Sequence, residues 1–341
     1  MSKSSLPTYD QLPIDPKYPA KTAWGLWGTG DNLGTLNLLT AERVAEASQC
    51  IKEGKVFPLN WELEKPSPPL FGRAETKHTI LPHTDEHTGY DDRLDNFNPQ
   101  ASSQWDGLRH VAHFPTKSFY NGVSREELKE GETERLGIHH MARRGIAGRA
   151  VLLDYARWAK IHRPAYNPLE RIEIPVEELQ QVAEAQKVTF KEGDILMVRT
   201  GWMEAFEKVG SEGLAKMMDI NHPHCAGVKP GDDTFRWIWN NHFSAVAADN
   251  FPFEAFPPTD WNNSCRKCCL NFDAPAIVLN NAIYIDSMFL GGWGMPIGEM
   301  FYLDKLAEDC ARDGVYEFFF TSAPLNKYQG VASPPNAICI K

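Results

Sequence analysis

The chain has 341 residues, 42% of them hydrophobic and 23% charged, an ordinary globular balance with enough apolar length for a buried core. Its formal net charge is -10, and its basic residues cluster no further than pairs such as Arg143 and Arg144, which argues against a phosphate-binding surface and so against nucleic acid. No run approaches the roughly 20 apolar residues of a membrane helix, and the first twenty residues lack an apolar signal core, so the expectation is a cytoplasmic protein with no membrane partner, acting on a small molecule.

Residues 1–23, rich in Pro, Ser and Lys, read as an extended N-terminal arm, with one large domain over 24–341 because no linker interrupts it. "TAERVAEASQCIKEG" (40–54) has Thr40 as N-cap, apolar residues at helical spacing and Gly54 as a stop, so it is predicted helical. "VFPLNWEL" (56–63) alternates as a strand does. Further strands are predicted at 150–156, 194–202, 244–250 and 315–325, each β-branched or aromatic and bounded by Gly, Asp or Pro. Helices are predicted at 175–186, 232–242 and 302–314, the last ended by Gly314. Many strands with few helices, not strictly alternating, predict an α+β or layered β/β/α domain rather than a regular doubly wound sheet.

Several motifs invite a function. "GTGDNLG" (28–34) is not GxGxxG and follows tryptophans rather than a buried strand, so its glycines are assigned to tight turns. No P-loop, HExxH or GxSxG occurs. Seven cysteines is an odd number for a disulfide framework; Cys50, Cys225, Cys310 and Cys339 are scattered and expected reduced. "CRKCC" (Cys265, Cys268, Cys269) lacks a second ligand pair at zinc spacing and is assigned to plain thiols. His78, His83 and His87 fall in a polar, exposed-looking loop. His139 and His140 are adjacent, so at most one is expected to face a site.

Two stretches carry more. In "QASSQWDGLRH" (100–110), Gln100 and Gln104 precede Asp106 and His110 at the same four-residue spacing. An Asp and a His brought together share a proton or fix a tautomer, whereas the structural alternative is an ion pair with Arg109 or Arg93. In "YIDSMFLGGWGMPIGEMFYLDKL" (284–306), Asp286 and Glu299 flank a Gly-rich turn whose Trp293 and Met295 suit a pocket lining. For Glu299 the competing reading is a cap on the following helix.

Taken in order, these stretches resemble the cyclase family that includes kynurenine formamidase and isatin hydrolase. The family pattern HxGTHxDxPxH falls on "QASSQWDGLRH": its two ligand histidines fall on Gln100 and Gln104, its ligand Asp on Asp106, and its final His, which there looks like a proton shuttle, on His110. A later His and Glu of the family fall on Asp286 and Glu299. Landmarks such as "WGTGDNLGTLNLLT", "GRAVLLDYARWA" and "AVAADNFPFEAFP" extend the likeness over 24–340, and "SSQWDG" is similar to the longer, fungal-type branch. The resemblance implies the family's layered, swivelling β/β/α fold and an oligomer.

Here every imidazole ligand position carries an oxygen-bearing side chain, which weakens a zinc site. The resulting expectation is an enzyme with no metal cofactor that cyclises, dehydrates or rearranges a carbonyl-rich secondary metabolite by acid/base catalysis. His110 would be the shuttle, Asp106 and Glu299 its partners and Asp286 a further base. Gln100 and Gln104 would polarise a substrate carbonyl, while Trp105, Trp293 and Met295 pack an apolar ligand. The alternatives are a hydrolase of an amide, lactam or lactone using a divalent ion such as Mn, Mg or Zn, and a binding protein without activity.

Overall fold

The structure, a computed structural model, describes residues 6–83, 89–129, 133–217, 219, 223–257 and 285–341. The "CRKCC" cysteines, His87 and Tyr284 lie outside these residues.

Helix α1 (Ala41–Ala47) begins where Thr40 accepts the Arg43 amide, and a 3-10 turn carries it to Cys50. Strand β1 (Val56–Pro58) follows, then a separate hairpin of β2 (Lys77–Pro82) and β3 (Tyr90–Asp95), then β4 (Gln104–Asp106). Helix α2 (Ile138–Arg144) leads into β5 (Ile146–Leu153) and α3 (Tyr155–His162). Next come β6 (Glu173–Ile174), α4 (Val176–Ala185), β7 (Ile195–Val198), α5 (Trp202–Met217) and β8 (Gly227–Val228). The chain continues through α6 (Asp232–Asn240), β9 (Ala245–Ala248), β10 (Ile297–Glu299), α7 (Asp304–Asp313), β11 (Glu317–Ser322), β12 (Ala332–Ser333) and β13 (Ala337–Ile340).

One nine-stranded sheet, ordered β1-β13-β11-β5-β7-β9-β10-β4-β12, organises the fold. Its centre, β5-β7-β9-β10, is parallel, and its flanking pairs are antiparallel. The central strands are buried along β7 and β9 without interruption, which is why they read as continuous apolar runs rather than alternating ones. The architecture is α+β, with mixed helices around one large sheet.

Two predicted strands end earlier than their apolar runs. β5 stops at Leu153 because Asp154 turns to cap α3, accepting the Arg157 amide at 3.2 Å. β7 stops at Val198 because the fully buried Asp249 gathers the amides of Thr200 and Gly201 and starts α5. Cys50, Cys225, Cys310 and Cys339 are free thiols. Among the described residues, no helix is long and apolar enough to cross a membrane.

The N-terminal stretch is docked from Leu6 onward rather than loose. The Trp239 indole donates to Pro7 O, the Tyr9 hydroxyl donates to Asp232, and Tyr9 is 2% exposed. Residues 21–35 then hold the Gly-rich segment 291–294: Ala23 N donates to Gly292 O, the Trp24 indole to Gly291 O, the Trp293 indole to Lys21 O and Thr35 N to Gly294 O. The approach of Gly34 (φ +56°) to Gly294 leaves no room for a side chain, since a Cβ there would sit 1.9 Å from Gly294 O.

Candidate active site

Strands β4 and β10 build the centre of the site. They pair antiparallel with Gln104 opposite Glu299, Trp105 opposite Gly298 and Asp106 opposite Ile297. Directly opposed residues share a face, so Gln104 meets Glu299 and donates its side-chain amide to Glu299 Oε2. Asp106, two residues along β4, faces the same way. Its Oδ1 accepts from Gln100 Nε2 at 2.8 Å. Gly107 N is tied to Val331 O and His110 N to Gly107 O, a turn that brings the ring of His110 back over Asp106. His110 Nε2 lies 3.8 Å from Asp106 Oδ2, and Gln100 Nε2 lies 3.2 Å from His110 Nδ1.

The carboxylates are enclosed: Asp106 is 0% and Glu299 5% exposed, whereas the His110 side chain is 27% exposed. Burial, then the charges of Asp106 and Asp286, holds Glu299 well above the usual carboxyl range. Arg73 opposes this shift from its place against Gln100 O, and so does the Gln104 amide. Glu254, also buried, is raised well above its ordinary value by burial and by Asp286, and it accepts the Ile285 amide at 2.6 Å. Sequence reasoning missed Glu254. The available signal was a lone carboxylate inside the aromatic run "FPFEAF" (251–256).

A raised carboxyl alone does not mark a site here. Asp249 and Asp194 are both pushed up to about 6 by burial, yet Asp249 bonds to Thr200 and Gly201 and Asp194 pairs with Arg149. Asp106 and Glu299 differ because they crowd one another beside a partly exposed imidazole.

Several sequence expectations change. Trp105 faces away from Gln104 and Asp106 and packs on Phe301 and Phe320, its indole donating to Ser322 Oγ, so it is core and does not line the site. Trp293 stacks on Phe289 within an aromatic cluster with Tyr9, Phe235 and Trp239, and Met295 is fully buried in the main core. The Gln100 amide hydrogens are engaged by Asp106 and His110, and Gln104 donates to Glu299, so these amides serve the carboxylates before any carbonyl. Arg109 forms no pair with Asp106; it donates to the carbonyls of Arg135, Thr133 and Gln329. Glu299 caps no helix, because Leu303 stands at the start of α7.

His139 and His140 also depart from expectation. Their rings lie 4.1 Å apart and, with Glu134, form a cluster of metal-binding residue types. His139 Nδ1 accepts the Gln329 amide, which puts the ring proton on Nε2 and leaves no free lone pair for an ion. His78 and His83 are exposed and pair with Asp92 and Asp91.

The donor set at Gln100, Gln104 and Asp106 does not fit zinc. Two of its three members are neutral amides, and both turn hydrogens rather than lone pairs toward the carboxylates.

A nine-stranded α+β sheet with a carboxylate and imidazole site between β4 and β10 defines the class. The Cyclase family profile matches residues 39–255, and this chain belongs to that family. Among solved structures, one described as a novel cyclase is 29% identical, with a TM-score of 0.78 over 94% of this chain and 99% of the other. Isatin hydrolase A from Ralstonia solanacearum (13% identity, TM-score 0.56) and from Labrenzia aggregata (14%, 0.54) share the fold, each covering 89% of this chain and 98% of the other. The Labrenzia protein is bound to benzyl benzoate. No curated protein matches.

Proposed function

We propose that this chain is a cyclase-family enzyme that rearranges, cyclises or dehydrates a small hydroxylated carbonyl compound by acid/base chemistry without zinc. The observation that carries this reading is the buried cluster around Glu299: 5% exposed, bonded to Gln104 and beside Asp106 and Asp286, its carboxyl is held well above the usual range by burial and then by those charges, which favours the acid form. In a dehydration, Glu299 gives its proton to the departing hydroxyl, which leaves as water. The Asp106–His110 pair takes the proton from the neighbouring carbon. His110, the most exposed of the three, returns that proton through solvent, so the acid is restored. Gln100 and Gln104 hold the two carboxylates apart and in register.

A second reading, hydrolysis assisted by a hard ion such as Mg or Mn, draws on two buried oxygens without a donor, Gln104 Oε1 and Asp106 Oδ2. One experiment separates the two: elemental analysis of the purified protein joined to a turnover screen on hydroxy-carbonyl compounds, amides and lactones, with and without chelator. Turnover of a hydroxy-carbonyl compound that survives chelator and falls about 10²–10⁴-fold in His110→Ala and Glu299→Gln supports the acid/base enzyme. Stoichiometric metal with chelator-sensitive hydrolysis overturns it.

A further inference from the structure

The turn that leads toward β2 carries an arginine for which the described part of the chain supplies no acid. Leu70, 2% exposed, anchors this turn in the smaller core cluster, and Arg73 N closes it on Leu70 O at 3.3 Å. Between them Phe71 takes φ +61° and Gly72 φ +66°. Glycine adopts this left-handed backbone freely, whereas phenylalanine is strained there and stays only where its surroundings impose it. Here they do. The Phe71 ring meets Phe251 and Phe256 edge-on, each at 5.7 Å between centroids, and the Arg73 guanidinium lies 5.4 Å from the Phe71 centroid.

Arg73 is half-buried at the rim of the site. It donates to the carbonyl of Gln100, whose side chain bonds to Asp106 and His110, and its charge reaches the Glu299 carboxyl. Among the described residues no carboxylate pairs with it, whereas the enclosed Arg149, Arg171 and Arg199 each have one. A guanidinium carries five N–H donors in a planar fork shaped for a carboxylate, so most of this fork is uncommitted.

Deeper in the site the polarity reverses. Gln104 Oε1 and Asp106 Oδ2 are buried acceptors without a donor. An occupant that satisfies both ends offers a hydroxyl hydrogen inward and anionic oxygens outward, with an apolar ring against Phe71. The reverse orientation would set an anion beside Asp106 and leave Arg73 facing a hydroxyl.

We infer that Arg73 recognises the substrate as an aromatic hydroxy acid, its guanidinium gripping the carboxylate, Phe71 lying against the ring, and the hydroxyl pointing toward Asp106. The inference rests on the reading of this centre as the active site, and adds the substrate class and the residue that selects it.

The test is titration calorimetry of the full chain with tropate, an aromatic hydroxy acid, and with its amide, which has nearly the same shape and no charge. Wild type is expected to bind the acid about 10- to 100-fold more tightly than the amide, the range for hydrogen bonds to charged groups. Arg73→Gln should bring the two within about threefold of each other. Arg73→Lys should restore part of the preference, since it keeps the charge and loses the fork, and Phe71→Ala should weaken both ligands alike. Melting curves check that each variant folds; if Arg73→Gln does not, the reduced preference expected of Arg73→Lys decides in its place. Were Arg73 only a brace for Gln100, its loss would weaken acid and amide together and leave their ratio unchanged, which overturns the inference. A wild type that binds the two equally, or binds neither, overturns it as well. Binding requires no turnover, so the two readings fail separately. A preference for the acid in a protein that turns over no hydroxy-carbonyl compound leaves the role of Arg73 standing and sinks the acid/base chemistry. Chelator-resistant turnover of neutral compounds, unchanged in Arg73→Gln, does the reverse.

Discussion

At the scale of single residues, Glu299 sets a pH dependence of known sign. Its folded-state pKa is raised, so as pH climbs past the ordinary carboxyl value near 4.5 the unfolded chain releases this proton while the native protein keeps it. Stability contributed at low pH is therefore lost as pH rises toward neutrality. Glu299→Gln removes that loss while keeping an oxygen for the Gln104 amide. Calorimetry from pH 4 to 8 should show a Tm gain that grows with pH and disappears toward pH 4. Glu254, Asp249 and Asp194 are shifted the same way, so the slope is reduced rather than abolished. A variant that melts below wild type at pH 8 would mean the ionised carboxylate is stabilised by a charge the argument omits. The residues at this centre were legible as types and spacing: Gln100, Gln104, Asp106 and His110 do converge, and Glu299 meets them. The raised pKa of Glu299 depends on burial and on the charges of Asp106 and Asp286, which only the folded chain brings together. Glu254 was not legible, since nothing local says that it meets Asp286.

At the scale of elements, β4 shows why Trp105 was misread. "QWD" carries no strand signal of its own, with Gln and Asp on either side of one aromatic, and its strand character comes from its neighbours β10 and β12. Without the strand, the period of two was invisible, and Trp105 was grouped with the residues on either side of it. The longer parallel strands could be read because they are buried on both faces and nearly uniform in composition. The two faces of β4 predict opposite kinds of defect. Trp105→Ala should cost about 3–5 kcal/mol of stability in urea unfolding, the range for emptying a large core site. Gln104→Ala, on the site face, leaves that aromatic packing intact, so its effect should fall on the protonation of Glu299 and on activity. Equal stability losses for the two would contradict the division of faces.

At the scale of the whole molecule, the segment carrying Asp286 is fixed from the opposite end of the chain. "GTGDNLG" was read as a set of tight turns, and Gly28 and Gly34 do take positive φ. Their purpose becomes visible only in three dimensions, where residues 21–35 grip 291–294 across some 260 positions of sequence. Trp24 is the most informative member: it is 5% exposed, its indole N–H donates to Gly291 O at 2.8 Å, and its ring meets His113 edge-on. Burial pushes the His113 imidazole down to about 4, so it stays neutral through physiological pH and adds no charge beside the grip. Trp24→Phe keeps most of the packing but removes the donor, leaving a buried carbonyl unpaired at a cost of about 1–3 kcal/mol. If the grip acts locally, hydrogen exchange should quicken at Thr35 and Gly294, whose amides bond to or lie in the gripped segment, while β5 and β7 keep their protection. Uniformly faster exchange would instead make Trp24 an ordinary core residue, and the placement of Asp286 would then depend on Glu254 and the Ile285 amide.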